Sequence, residues 1–151
     1  MKKISLIIIL ILLNNCSGYK PVYNSKDLNF NIRSIEIEDG DKISYKIKRK
    51  LVPYTNQTKK LKNVILKINT NKQINTIAKD SKGNDSVYEI SVSTNVEILF
   101  ENLEKKKLNF VEKFSFNNQT NKFELEQYKK DILTDLLDKI FEKLILELRI
   151  V

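Results

Sequence analysis

The chain has 151 residues and carries 27 lysines and arginines against 19 acidic residues, a formal charge of +8, with no histidine and one cysteine. That inventory excludes an internal disulfide framework and the usual zinc sites, and it leaves catalysis only carboxylates, lysines, tyrosines and hydroxyls. The length suits one compact domain and is short for two, while the abundance of Lys, Asn and Ile reads as genome bias as much as functional charge.

The first elements lie at the start. Met1-Lys2-Lys3 precedes a run from Ile4 to Leu13 that is apolar apart from Ser5. A basic start followed by about ten apolar residues predicts an export signal, because a membrane-spanning helix needs roughly twenty. Leu13 stands three positions before Cys16, where a lipoprotein signal peptidase prefers Leu. The thiol of Cys16 is the group that diacylglycerol transfer requires, so residues 1–15 read as a lipoprotein signal peptide and Cys16 as the lipidated first residue of the mature chain. Asn14 and Asn15 occupy positions where small residues suit the peptidase best, which keeps open an uncleaved anchor or an ordinary signal peptide followed by a free cysteine. Ser17, in place of an inner-membrane retention Asp, points to the outer membrane of a Gram-negative cell. Loss of residues 1–15 leaves 136 residues (151 minus 15) with 25 basic and 19 acidic groups, a net +6.

Residues 16–24 then form a tether, and residues 25–151 a single domain. Phe30, Ile32, Ile35 and Ile37 alternate in two pairs with a phase break at Arg33-Ser34, predicting a bulged strand. Asp41 can cap a helix whose stripe is Ile43, Ile47 and Leu51, ended by Pro53. Val64, Leu66 and Ile68 mark a second strand, with weaker positions at Ile74 and Ile77. Asp80 to Asp85 contains the strongest turn signal, since Gly83 and Asn84 tolerate positive φ. Tyr88, Ile90, Val92, Thr94, Val96, Ile98 and Phe100 then alternate, a period no helix can use. A turn over Asn102 to Lys107 leads to a returning strand with Leu108, Phe110, Phe114 and Phe116. Glu112 interrupts that alternation, predicting a bulge or a partly open face. From Phe123 to Arg149, Leu125, Tyr128, Ile132, Leu133, Leu136, Leu137, Ile140, Phe141, Leu144, Ile145 and Leu148 recur at steps of three and four, predicting a long helix. The order gives an α+β fold, a four-stranded antiparallel or mixed sheet with two helices on one face.

Gly18-Tyr19-Lys20-Pro21-Val22-Tyr23, close behind Cys16, resembles the opening of the lipopolysaccharide-assembly lipoprotein family LptE, with Ser17 inserted after the cysteine. Tyr88-Glu89-Ile90 and Phe114-Ser115-Phe116-Asn117 are similar to weaker patterns of that family, and the element order agrees over nearly the whole mature chain. The resemblance implies a lipid-anchored, periplasm-facing outer-membrane protein without enzymatic activity or cofactor. It also implies a role in plugging and helping to assemble the barrel translocon LptD, and contact with lipopolysaccharide in transit. Lipopolysaccharide bears phosphates, so Lys79 and Lys82 at the main hairpin tip are candidate contacts, with Lys105, Lys106 and Lys107 at the next turn behind them. For any single one of them a solvated surface charge is the more ordinary reading in so lysine-rich a chain.

Other signals carry less. Asn56-Gln57-Thr58, Asn84-Asp85-Ser86 and Asn118-Gln119-Thr120 fit the glycosylation pattern, as an Asn-rich chain will by chance. Asp80 and Asp85 lack the spacing of a calcium loop. The rival assignment is a generic periplasm-facing lipoprotein with an α+β binding module, serving a lipid transporter or binding cell wall. Export and the lack of a concentrated basic-aromatic patch argue against nucleic acid as a partner, and no nucleophile and base stand at recognisable spacing.

Overall fold

The computed structural model describes residues 29–38, 42–56 and 62–150. Strand β1 (Phe30–Ile37) is followed by helix α1 (Lys42–Leu51) and a short 3-10 turn (Val52–Tyr54). Then come β2 (Lys62–Lys79), β3 (Asp85–Phe100), β4 (Lys105–Asn117) and the long helix α2 (Lys122–Ile150). The strands lie in the order β1-β2-β3-β4. β1 runs parallel to β2, and the other neighbours are antiparallel. The fold is therefore α+β with a mixed, open sheet. A parallel pair needs a crossover, and α1 supplies it.

Local chemistry explains each element. The phase break at Arg33-Ser34 is a bulge, where the β1–β2 register slips between Ile32 and Ser34. The slip returns Ile35 to the face already used by Phe30 and Ile32, and all three are buried. At the start of α2 the Asn121 side chain accepts the N–H groups of Phe123 and Glu124 at 3.1 and 3.4 Å, capping donors that the helix itself leaves open. Glu124 adds a negative charge in the first turn, where the helix dipole favours it. The predicted cap of α1 at Asp41 lies outside the described residues, as do Cys16, the signal segment 1–15 and the tether 16–24.

One face of the sheet holds the core. Val64, Leu66 and Ile68 of β2 lie opposite Phe100, Ile98 and Val96 of β3, and these rows meet Ile47 and Leu51 of α1 and the stripe Ile132 to Leu148 of α2. Thr70 and Thr94 share that buried face with their hydroxyls 3.2 Å apart, so neither oxygen is stranded in the apolar layer. At about 3.3 Å per residue the 16-residue β3 spans roughly 50 Å, and at 1.5 Å per residue the 29-residue α2 spans roughly 43 Å, so the helix runs almost the length of the hairpin stack. α2 packs on β3 and β4, while α1 packs on β1 and β2. β2 outruns its cover, and every residue from Asn71 to Lys79 is exposed.

Two sequence expectations change. Of the two readings of the interruption in β4, the bulge falls, since the β3–β4 register continues unbroken from Val87–Asn117 to Leu99–Lys105, and the partly open face stands, with Phe114 of the same face 40% exposed. Glu112 points to the helix-covered face because Lys143 of α2 meets it there in an ion pair. The turn after β3 is also shorter than predicted, confined to residues 101–104, so Lys105, Lys106 and Lys107 are the first three residues of β4.

Candidate functional site

The second face of the sheet is covered by no described element, and side-chain alternation makes it polar by the same rule that fills the core. Successive rows across β2, β3 and β4 read Asn69–Asn95–Asn109, Asn71–Ser93–Val111, Gln73–Ser91–Lys113 and Asn75–Glu89–Ser115. Asn109 donates its side-chain N–H to Asn95 at 2.6 Å. Toward the β1 side, Asn31 donates to Asn63 at 2.7 Å, and Asn63 donates to Glu101 at 2.6 Å. Opposite charges are spaced along this face: Lys67 with Glu36 at 3.6 Å, Lys105 with Glu97 at 3.8 Å, Lys113 with Glu89 at 3.3 Å. The result is a long surface rich in amide and hydroxyl groups, able to meet another polar wall through many weak hydrogen bonds.

The five candidate lysines divide between the two ends of this body. Lys79 closes β2 and Lys82 lies in the turn to β3, both exposed. Asp80 builds that turn: its carboxylate accepts the N–H groups of Lys82 and Asn84 at 2.8 Å each and the side-chain amide of Asn84 at 3.1 Å. Gly83 sits at φ +84°, a left-handed conformation that glycine adopts without a Cβ penalty. The Asn84 side-chain amide, then its backbone N–H, hold the Asp80 carboxyl below its ordinary value of 3.8. With both oxygens committed to the turn, Asp80 serves as a structural cap. No cluster of three metal-ligating side chains occurs among the described residues.

Lys105, Lys106 and Lys107 lie at the far end of β3, a strand length away from Lys79 and Lys82, so the structure does not bring the five together. Lys106 faces the helices and pairs with Glu147 at 2.9 Å, and Lys105 pairs with Glu97. Lys107 makes no ion pair among the described residues. Beside them a depression of about 640 Å³ is lined by Lys62, Asn63, Phe100, Glu101, Lys105 and Lys106. Of its three lysines, Lys105 and Lys106 are already paired with Glu97 and Glu147, and Glu101 and Glu104 add negative charge to the same lining, which disfavours it as an anion site. The tip lysines share their turn with Asp80 and Asp85, Lys79 lying opposite Asp85 in the β2–β3 register, but among the described residues neither makes an ion pair.

Sequence reasoning did not single out two features. The amide rows of the open face were legible as Asn69, Asn95 and Asn109 at positions out of phase with the buried residues. The aromatic cluster near the tip was not: Phe116 is flanked by Tyr88 at 5.6 Å and Tyr128 at 5.9 Å, and Lys129 lies 5.4 Å from the Tyr88 ring centroid. It joins residues from β3, β4 and α2 that no local pattern connects.

No protein-family model matches the chain, and no curated protein matches it in sequence. Solved structures do. The chain is similar to rare lipoprotein B from Shewanella oneidensis, at 13% identity and a TM-score of 0.55, over 76% of this chain and 93% of that one. It is similar to an uncharacterized lipoprotein B from Nitrosomonas europaea, at 16% identity and 0.55, over 85% and 90%. A putative lipoprotein from Caulobacter crescentus CB15 gives 13% identity and 0.56, over 78% and 87%. At these identities the likeness establishes a shared fold, one used by bacterial lipoproteins.

Proposed function

We propose that the protein is an outer-membrane lipoprotein, anchored through Cys16, that plugs and helps assemble an LptD-like β-barrel and contacts lipopolysaccharide on its way to the cell surface. The observation that carries this reading is the bare polar face. A body roughly 50 Å long with one sheet face of Asn, Gln, Ser and paired charges suits the polar lumen of a large barrel. The fold shared with structures described as lipoproteins and the Gly18–Tyr23 motif support the same reading. The protein acts by shape and surface, not by catalysis.

Within this reading Lys79 and Lys82, exposed at the hairpin tip, are the phosphate-facing groups. Lys79→Asp combined with Lys82→Asp weakens lipopolysaccharide binding in a direct assay while leaving the circular dichroism unchanged, and unaltered affinity discards that role. Lys105→Ala serves as the contrast, because its charge is already paired with Glu97. Gentle solubilisation of membranes separates this function from a free-standing lipoprotein binding module, since only the plug is recovered one-to-one with a large barrel.

A further inference from the structure

β2 is an edge strand for half its length. β1 pairs with it only from Lys62 to Ile68, and among the described residues no strand pairs with the same side of β2 beyond that point. The direction of its free groups follows from one bond. The carbonyl of Ile68 accepts the N–H of Glu38 at 3.1 Å, so the backbone groups of residue 68 point away from β3. Backbone groups alternate along a strand, and the β2–β3 register is regular through Thr76–Tyr88. Hence Lys72, Ile74 and Thr76 direct their N–H and C=O groups outward, while Gln73 and Asn75 direct theirs to β3.

Such an edge is a template for another strand unless proline, a bulge or dense charge blocks it. From Asn71 to Thr76 there is no proline, no register slip and a single charge, Lys72; the slips begin only between Thr76 and Lys79. The side chains of Lys72 and Ile74 project on the helix-covered face but beyond α2. Ile74, 39% exposed, heads the row Ile74–Ile90–Phe114, whose middle member is buried and whose far end is again 40% exposed. Lys72 makes no ion pair among the described residues, and Glu126 of α2, which feels its charge, is already bonded to Lys129 at 2.7 Å.

We propose that this edge is a docking site for an extended acidic segment of a partner protein, which adds beside β2 as a further strand. The inward positions of that segment carry a carboxylate opposite Lys72 and, two residues along, an aliphatic side chain opposite Ile74. Its outward positions are polar, matching Asn71, Gln73 and Asn75. Charge decides among occupants. A second copy's β2 would bring Lys72 and Lys79 to a lysine-bearing edge, and the chain's own segment 16–28 carries Lys20 and Lys26 against the single acid Asp27 and is interrupted by Pro21. Neither offers the net negative charge that an edge with only cationic charge favours.

The test is backbone amide exchange by NMR on the full-length chain in detergent micelles, with two end-blocked heptapeptides as probes, Thr-Glu-Thr-Ile-Thr-Glu-Thr and Thr-Lys-Thr-Ile-Thr-Lys-Thr. The free protein shows alternating protection, fast at Lys72, Ile74 and Thr76 and slow at Gln73 and Asn75. The glutamate peptide slows the three fast amides by roughly fivefold or more and the lysine peptide does not. In Lys72→Glu the preference reverses. Slow exchange of all five amides in the free protein means that the edge is already occupied, by the chain itself if independent of concentration and by a second copy if not, and either result overturns the proposal. Equal protection by both peptides, or by neither, overturns it as well.

Discussion

At the scale of the residue, the hairpin tip depends on two groups. Gly83 is held at φ +84° with open space around its Cβ direction, so Gly83→Ala meets no clash and costs only the left-handed backbone penalty. Urea unfolding should register a loss of about 1–2 kcal/mol. Asp80 supplies a pH signature. Its folded-state pKa is lowered, so the turn is stabilised by ionisation at any pH above the unfolded value of 3.8, and that contribution disappears as pH falls through the folded-state value. An NMR titration of the Asp80 carboxyl carbon should give a midpoint below 3.8, and Asn84→Ala should move it upward, since the Asn84 side chain is the largest cause of the shift. A midpoint at or above 3.8 would remove the turn bonds from the account.

At the scale of the element, the long helix and the hairpin stack hold each other through side chains that no local rule joins. Phe116 is 4% exposed and packs between Tyr88 and Tyr128, so Phe116→Ala should cost about 3–5 kcal/mol in denaturant unfolding. A loss under 1 kcal/mol would mean that the helix start is not seated on the sheet. These cross-element contacts also mark where the sequence becomes illegible. Period-two alternation located β2, β3 and β4, step-three-and-four periodicity located α2, and the phase break at Arg33-Ser34 predicted the bulge, because each is a signal within one element. At Glu112 the sequence left a bulge and a partly open face as alternatives, and it could not decide between them because the partner of the inward carboxylate, Lys143, lies 31 residues away. Lys105 to Lys107 were misread as a turn because a lysine run looks solvated, although Lys106 is drawn to Glu147 and the strand starts beneath it. The exposed edge of β2 was equally hidden, since its strand signal continues past the point where β1 stops pairing.

At the scale of the whole molecule, the chain is a narrow sheet with one face filled by helices and the other mostly polar, with Ile65, Leu99 and Val111 as apolar members. Among the described residues no helix is long and apolar enough to cross a membrane; in the proposed function the chain is attached through a lipid on Cys16. Intact-mass measurement of membrane-extracted protein should show a chain starting at Cys16 and bearing acyl groups; a mass without them removes the anchor but leaves the fold. Two or three acyl chains, at about 0.8 kcal/mol per buried methylene, would keep the body permanently at a bilayer. There the polar face, the tip lysines and the open edge would all be presented to a membrane-resident partner. The central claim is that this partner is a large β-barrel whose lumen the body fills. Gentle detergent extraction followed by affinity capture of the tagged chain tests it most directly. The plug assignment predicts one-to-one recovery of a large outer-membrane barrel. Recovery of the lipoprotein alone, from membranes shown to retain their barrels intact, would contradict it.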